Sequence, residues 1–98
     1  MQSALPLFAQ VADALGVAEC LESLGLLRAR AAPEEAAMLL GAAVGVRRAR
    51  GAATEAVTDH AEAARLCSAH GAAWATGERM GLEEAVSFAA EVAGGERR

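Results

Sequence analysis

Residues 17–51 place two helix-length apolar patterns on either side of a short break at Ala31-Ala32-Pro33. In the first pattern, apolar residues recur every three or four positions, so they share one face of a helix. They are Val17, Cys20, Leu21, Leu24, Leu27 and Ala31. The second pattern, residues 36–46, is apolar all round, which indicates a helix buried on more than one side. The segment therefore predicts an antiparallel helical hairpin whose second helix is the most buried element of the fold.

The ends and the interior of this second helix carry specific signals. Pro33 suits the first helical position, where an N–H has no partner inside the helix, and Gly51 is expected to end the helix. Gly41 and Gly45 lie one turn apart in its interior, where each costs about 1 kcal/mol relative to alanine. We therefore predict that they let a neighbouring backbone come close.

The rest of the chain also has helical patterns, and no alternation of period two occurs. A first helix is expected at about 3–11, capped by Ser3, and residues 12–16 read either as a turn or as a weak point in one longer helix. A third helix is expected to run from a Thr54 cap to about residue 69, and a short helical piece around Trp74 to end at Gly77.

A last amphipathic helix begins at Leu82. The predicted fold is all-α, with four to five helices in tetratricopeptide-like antiparallel hairpins. We expect a single domain at 1–93 and a disordered tail at 94–98.

Charge and apolar length exclude several classes of function. The net charge is −4 and the nine basic residues are dispersed, so direct contact with nucleic acid is not expected. No apolar run approaches the roughly 20 residues that span a bilayer, and the N-terminus lacks a secretory pattern. Two cysteines make no disulfide framework. We expect a cytoplasmic protein that contacts no membrane.

Residues able to carry chemistry are few. His60, Cys67 and His70 are competent metal donors. On a continuous helix, however, His60 and Cys67 stand about 10 Å apart along the axis, too far to share one tetrahedral ion. Nothing suggests an orienting group or an oxyanion site beside Cys67 and His70. We therefore expect no enzyme activity, no cofactor and no metal, and interpret Trp74 as a core anchor rather than an exposed contact.

Two motifs nevertheless resemble a known family. They are VAECLESLG at 17–25 followed by PEEAAMLLGAA at 33–43, and AWATGERMGLEEAV at 73–86. Both are similar to the tetratricopeptide-like C-terminal region of actinobacterial LuxR-type and SARP-type (AfsR-like) ATPase transcriptional regulators. The chain departs from that pattern at Ala12, where the family has glycine, and at Gly81, where many relatives have serine or threonine. It also lacks a phosphate-binding loop and an assignable helix-turn-helix. The resemblance implies the sensory or oligomerisation end of such a regulator.

The predicted function is a non-catalytic interaction or oligomerisation module in transcription regulation, with a protein partner or a second copy, as a homodimer. The proposed anchoring residues are Val17, Leu21, Leu24, Leu40 and Trp74. The alternative is a small helical ligand-binding protein or enzyme of a bacterial biosynthetic pathway. Its small-molecule pocket would lie near His60, Cys67, His70 and Trp74. A buried cavity of several hundred cubic ångströms lined by polar groups would favour this alternative, whereas an exposed apolar groove filled by a symmetry mate would favour assembly.

Overall fold

The computed structural model describes the backbone of residues 6–96 and the side chains of residues 14–55 and 57–94. No strand occurs in this part of the chain, which confirms the all-α prediction. Five of its helices have eight residues or more, and one is a single turn. The helices are α1 (Pro6–Arg28), α2 (Pro33–Ala49), α3 (Glu55–Thr58), α4 (Ala61–Ala69), α5 (Gly71–Glu78) and α6 (Leu82–Glu96).

The first helix is longer than the sequence pattern suggests. Residues 12–16 continue the helix instead of turning, so α1 does not end at Val11. Gly16 lowers the helix propensity by about 1 kcal/mol at most, which is too little to interrupt a long packed helix. The predicted cap at Ser3 lies outside the described residues.

The two helices of the predicted hairpin pack antiparallel. The C-terminal end of α1 lies beside the N-terminal end of α2, because Arg28 pairs with Glu35. Further back along α1, Glu22 pairs with Arg47 in the last turn of α2. The core-facing seam of α1 repeats at spacings of four, three and four residues, and all its members are buried. They are Ala14, Ala18, Leu21 and Gly25. The hairpin predicted at 17–51 is therefore present.

The second helix lies between two apolar clusters, as its all-round apolar sequence predicts. One cluster packs Leu40 and Val44 of α2 against Leu66 and Trp74. The other packs the remaining faces of α2 against α1 and α6 and includes Leu21. Because both sides are covered, α2 is the centre of the fold.

The helix α5 packs against α2 with almost no space between the backbones. A Cβ added at Gly41 would lie 2.9 Å from the carbonyl carbon of Trp74, and one at Gly45 would lie 2.5 Å from the carbonyl oxygen of Glu78. The close approach predicted from these two glycines is confirmed. Trp74 and Glu78 face Gly41 and Gly45 in the same order, so α5 runs in the same direction as α2.

Gly77 completes this contact from the other helix. The sequence pattern predicts that Gly77 ends the short helix, but α5 continues to Glu78. A Cβ at Gly77 would lie 2.7 Å from the backbone nitrogen of Ala42, so the glycine is required by packing. The parallel α2–α5 pair differs from an antiparallel hairpin, and the tetratricopeptide-like stacking of the whole chain stays a prediction.

The two ends of α2 follow their sequence signals. Pro33 is its first residue, and Gly51 follows its end with a φ of +71°, a left-handed conformation that glycine adopts without steric penalty. The N–H of Ala52 donates to the carbonyl of Arg47 at 2.8 Å, and the N–H of Gly51 donates to that of Arg48 at 3.1 Å. These two bonds form a Schellman motif, which satisfies carbonyls that the helix leaves unpaired.

The third predicted helix is broken in two. The short α3 ends at Thr58, and α4 begins at Ala61. His60 takes an extended conformation between them, and its Nδ1 accepts the backbone N–H of Glu62 at 3.2 Å. His60 thus caps α4, whereas the side chain of Thr54 makes no capping bond to α3. The His60 cap stabilises the break between α3 and α4. The spacing of apolar residues does not indicate such a break.

The last helix begins at Leu82, as predicted, with Glu83 and Glu84 in its first turn. It continues to Glu96, three residues past the boundary that the sequence pattern places at residue 93. The last two residues of the predicted tail, 97 and 98, lie outside the described part.

Candidate interaction surface

An open groove with a volume of about 630 Å³ lies between α1 and α6. Most of the side chains that line it are apolar, and the exceptions are the carboxylate of Glu19 and the hydroxyl of Ser23. The α1 residues of the lining are Gly16, Glu19, Cys20, Ser23, Leu24 and Leu27, and the α6 residues are Ala89, Ala90 and Ala93. With few polar groups to fix a small polar ligand, this groove has the character of a packing surface.

The α1 wall of the groove has the spacing of a helix-packing seam. Gly16, Cys20, Ser23 and Leu27 repeat at intervals of four, three and four residues, and all four are exposed. The core-facing seam has the same intervals but is offset by two residues, which is about 200° around the helix. Such intervals are typical of helices that pack along their length. We call these four residues the outer seam.

Leu27 is the most exposed large apolar side chain on this surface. Its exposed fraction is 72%, and it lies in the last turn of α1. Burying such a side chain is worth roughly 1–2 kcal/mol, given that fully burying a leucine stabilises by about 1.5–3 kcal/mol. Leu27 is therefore the strongest candidate anchor for a partner.

Three of the five predicted anchoring residues lie inside the chain. The exposed fractions of Leu21, Leu40 and Trp74 are 0%, 1% and 5%, so their side chains serve the core in this fold. Val17 and Leu24 are half-buried, and Leu24 lines the groove. The predicted set therefore contributes one residue to this surface.

The sequence pattern contains a signal for the residues that the prediction missed. The apolar residues of α1 cover a broader face of the helix than one neighbouring helix can bury. The outer seam lies at the edge of this face. Ala89, Ala90 and Ala93 become part of the surface only because α6 packs beside α1. That placement depends on tertiary packing and has no local signature.

The indole of Trp74 has its polar group satisfied within the chain. Its Nε1–H donates to Oε2 of Glu78 at 3.0 Å, and the same oxygen lies 3.8 Å from Nη2 of Arg48. A buried tryptophan normally needs such a partner. The interpretation of Trp74 as a core anchor is confirmed.

The four side chains of the alternative pocket do not converge. His60 precedes the nine-residue α4 and His70 follows it, so they stand at opposite ends of that helix. Cys67 is half-buried against the cluster around Trp74. His60 and His70 line different surface depressions. Among the described residues, no three His, Cys, Asp or Glu side chains are grouped so that they could hold a metal ion.

A paired arginine and glutamate join the two helices of the hairpin, α1 and α2. Nε of Arg47 donates to Oε2 of Glu22 at 2.6 Å, and Nη2 donates to Oε1 at 3.2 Å. Their side chains are 15% and 20% exposed. This hydrogen bond raises the pKa of Arg47 above its ordinary value, so the arginine stays charged.

Comparison of the chain with models of protein families, with curated proteins and with solved structures finds no match. The resemblance to regulator C-terminal regions therefore depends on the two sequence motifs alone. Separately, none of the helices within residues 6–96 combines the length and the apolar character needed to cross a bilayer.

Proposed function

We propose that this chain is a non-catalytic helical interaction module that associates with a second copy of itself through the groove between α1 and α6. The observation that carries the proposal is the apolar lining of that groove together with the exposure of Leu27. Exposed apolar surface is a common feature of protein–protein interaction sites, which supports the choice of this groove. The interacting surface is thus the outer seam and the adjoining alanines of α6.

The expected affinity is moderate. Two copies would bury two Leu27 side chains, worth about 2–4 kcal/mol together by apolar burial. One helix face is smaller than the roughly 1,200–2,000 Å² that a stable interface buries. We therefore expect a homodimer with a dissociation constant between about 20 µM and ~1 mM, in exchange with the monomer.

The proposal also includes a biological setting, which is transcription regulation. The resemblance of residues 17–43 and 73–86 to the C-terminal region of LuxR-type and SARP-type regulators supports a role in transcription regulation. In that setting the module would bring regulator chains together in the cytoplasm, without touching DNA itself. The net charge of −4 supports the absence of direct DNA contact.

Sedimentation equilibrium of the wild type and of Leu27→Glu tests the proposal. The wild type, of 10.0 kDa as a monomer, should gain mass with concentration, and at least about half of its chains should be dimeric near about 1 mM, the upper end of the expected dissociation constants. Leu27→Glu places a charge in the apolar groove and should weaken dimerisation by at least about tenfold, or ~1.4 kcal/mol. A helical circular dichroism spectrum verifies that the variant folds.

Ala72→Glu is the matched control, because it adds the same charge at an exposed position on α5, outside the groove. It should dimerise like the wild type. A wild type that stays monomeric at about 1 mM contradicts self-association. If Ala72→Glu weakens the dimer as strongly as Leu27→Glu, the interface is not in the groove.

A further inference from the structure

One of the two histidines of the chain, His60, joins two helices through three hydrogen bonds. Its backbone N–H donates to the carbonyl of Val57 at 3.2 Å, and its own carbonyl accepts the N–H of Ala64 at 2.9 Å. Its ring nitrogen Nδ1 accepts the N–H of Glu62 at 3.2 Å. We infer that His60 is a pH-sensitive cap, which holds the junction of α3 and α4 together while its ring is neutral and releases that junction when its ring is protonated.

Protonation would remove the cap in two ways that have the same sign. The capping bond requires a neutral ring with its proton on Nε2, because Nδ1 has to offer a lone pair to the N–H of Glu62. In the protonated ring both nitrogens are donors, so two N–H groups would face each other. The new positive charge would also lie at the N-terminal end of α4, where the helix dipole disfavours cations. The cap is therefore present at neutral pH and is lost as the pH falls through the range in which histidine becomes charged.

The charged side chains beside the ring come from α1, from the turn that follows it and from α4. They are Glu22, Arg30 and Glu62. Arg30 disfavours a further positive charge on the ring. The two carboxylates would favour it, but Glu22 is already paired with Arg47. Glu62 is in turn paired with Arg65. Because both carboxylates have cationic partners, the loss of the cap decides how the junction responds to protonation.

The element that the cap supports is weakly held. The helix α3 has only four residues, and the side chain of Thr54 makes no capping bond to it. A single helical turn is not stable through its own hydrogen bonds. Its buried side chain is Val57, which packs in the cluster that contains Leu66 and Trp74. We therefore expect acid to fray α3 and the first turn of α4 and to uncover Val57, while the rest of the fold stays packed.

This device is independent of the proposed self-association. The groove between α1 and α6 adjoins the cluster on the other side of α2, which contains Leu24 and Ala89. A failure of the dimerisation experiment would therefore not bear on the cap, and a failure of the cap would not bear on the groove.

Urea unfolding of three proteins at about pH 7.5 and ~5, the range in which histidine gains its charge, tests the inference. They are the wild type, His60→Ser and His70→Gln. Serine caps a helix without a titratable ring, so between these pH values the folding equilibrium constant of the wild type should fall about two- to fivefold more than that of His60→Ser. His70 makes no capping bond, so His70→Gln should retain this extra loss. Equal losses in the wild type and His60→Ser would overturn the inference.

A local measurement separates the cap from other effects of pH on stability. In the nuclear magnetic resonance spectrum of the wild type, the amide signal of Glu62 should move with the same midpoint as the ring protons of His60. In His60→Ser the same amide should move far less. A Glu62 amide that moves equally in both proteins, or a His60 ring whose Nδ1 carries the proton at neutral pH, would contradict the cap.

Discussion

Replacing Gly77 by alanine should destabilise the fold even though alanine favours helices. The new methyl group would lie 2.7 Å from the backbone nitrogen of Ala42 and closer still to the carbonyl oxygen of Met38. These are backbone atoms of the central helix, so no side chain can rotate away. The helix α5 would have to move outwards from α2.

The magnitude follows from two opposing effects. Overpacking of a close contact costs about 1–3 kcal/mol and occasionally more. Alanine recovers at most about 1 kcal/mol of helix propensity relative to glycine. Displacement of α5 would also loosen the contacts at Gly41 and Gly45, which are as tight. We expect the free energy of unfolding to fall by about 2 kcal/mol, which corresponds to roughly 8–16 °C in Tm for a domain of this size.

Gly16→Ala is the matched control, because the same substitution there meets open space. It should raise the free energy of unfolding by about 0.5–1 kcal/mol. Urea and thermal unfolding followed by circular dichroism measure both variants, at about 5 µM so that dimerisation in the expected micromolar range contributes little. If Gly77→Ala is as stable as the wild type, the close α2–α5 contact is wrong.

Three further sets of substitutions test side-chain hydrogen bonds that stabilise the fold. Arg47→Ala and Glu22→Ala, combined in a double-mutant cycle, should show a coupling of about 1–2 kcal/mol, since the pair is bidentate and partly buried; a coupling near zero would contradict that geometry. Trp74→Phe should lower the free energy of unfolding by about 1–3 kcal/mol, because Glu78 loses its indole donor. If the changes in unfolding free energy of Trp74→Phe and Glu78→Gln simply add in the double variant, the two side chains do not form this bond. His60→Ala should destabilise by about 0.5–1 kcal/mol through loss of the α4 cap, measured by urea unfolding, whereas His60→Ser should retain most of the stability.

The hairpin and its central helix were predictable from local patterns. Residues 36–46 are apolar all round, and a helix of that kind has to be covered on several sides. Gly41 and Gly45 pointed to close packing, because two interior glycines need a physical reason. Pro33 and Gly51 marked the helix ends through backbone chemistry that acts within a few residues.

The features that were missed depend on how distant parts of the chain meet. Apolar spacing places Leu21 and Leu27 on one broad face of α1, but only the packing of α2 and α6 separates the buried residue from the exposed one. The course of α5 follows a second break at His70, between α4 and α5, where the side chain makes no capping bond to α5. The groove forms where α6 settles beside α1, and no short segment encodes that placement.

Backbone amide chemical shifts in a dilution series test whether the outer seam and the adjoining alanines of α6 form a self-association surface. On dilution from about 1 mM to ~20 µM, a range spanning the expected dissociation constants, shifts should move together for residues 16, 20, 23, 27, 89, 90 and 93. The amides of α4 and α5 should stay constant. Shifts that do not change, or that move mainly in α4 and α5, would contradict the account.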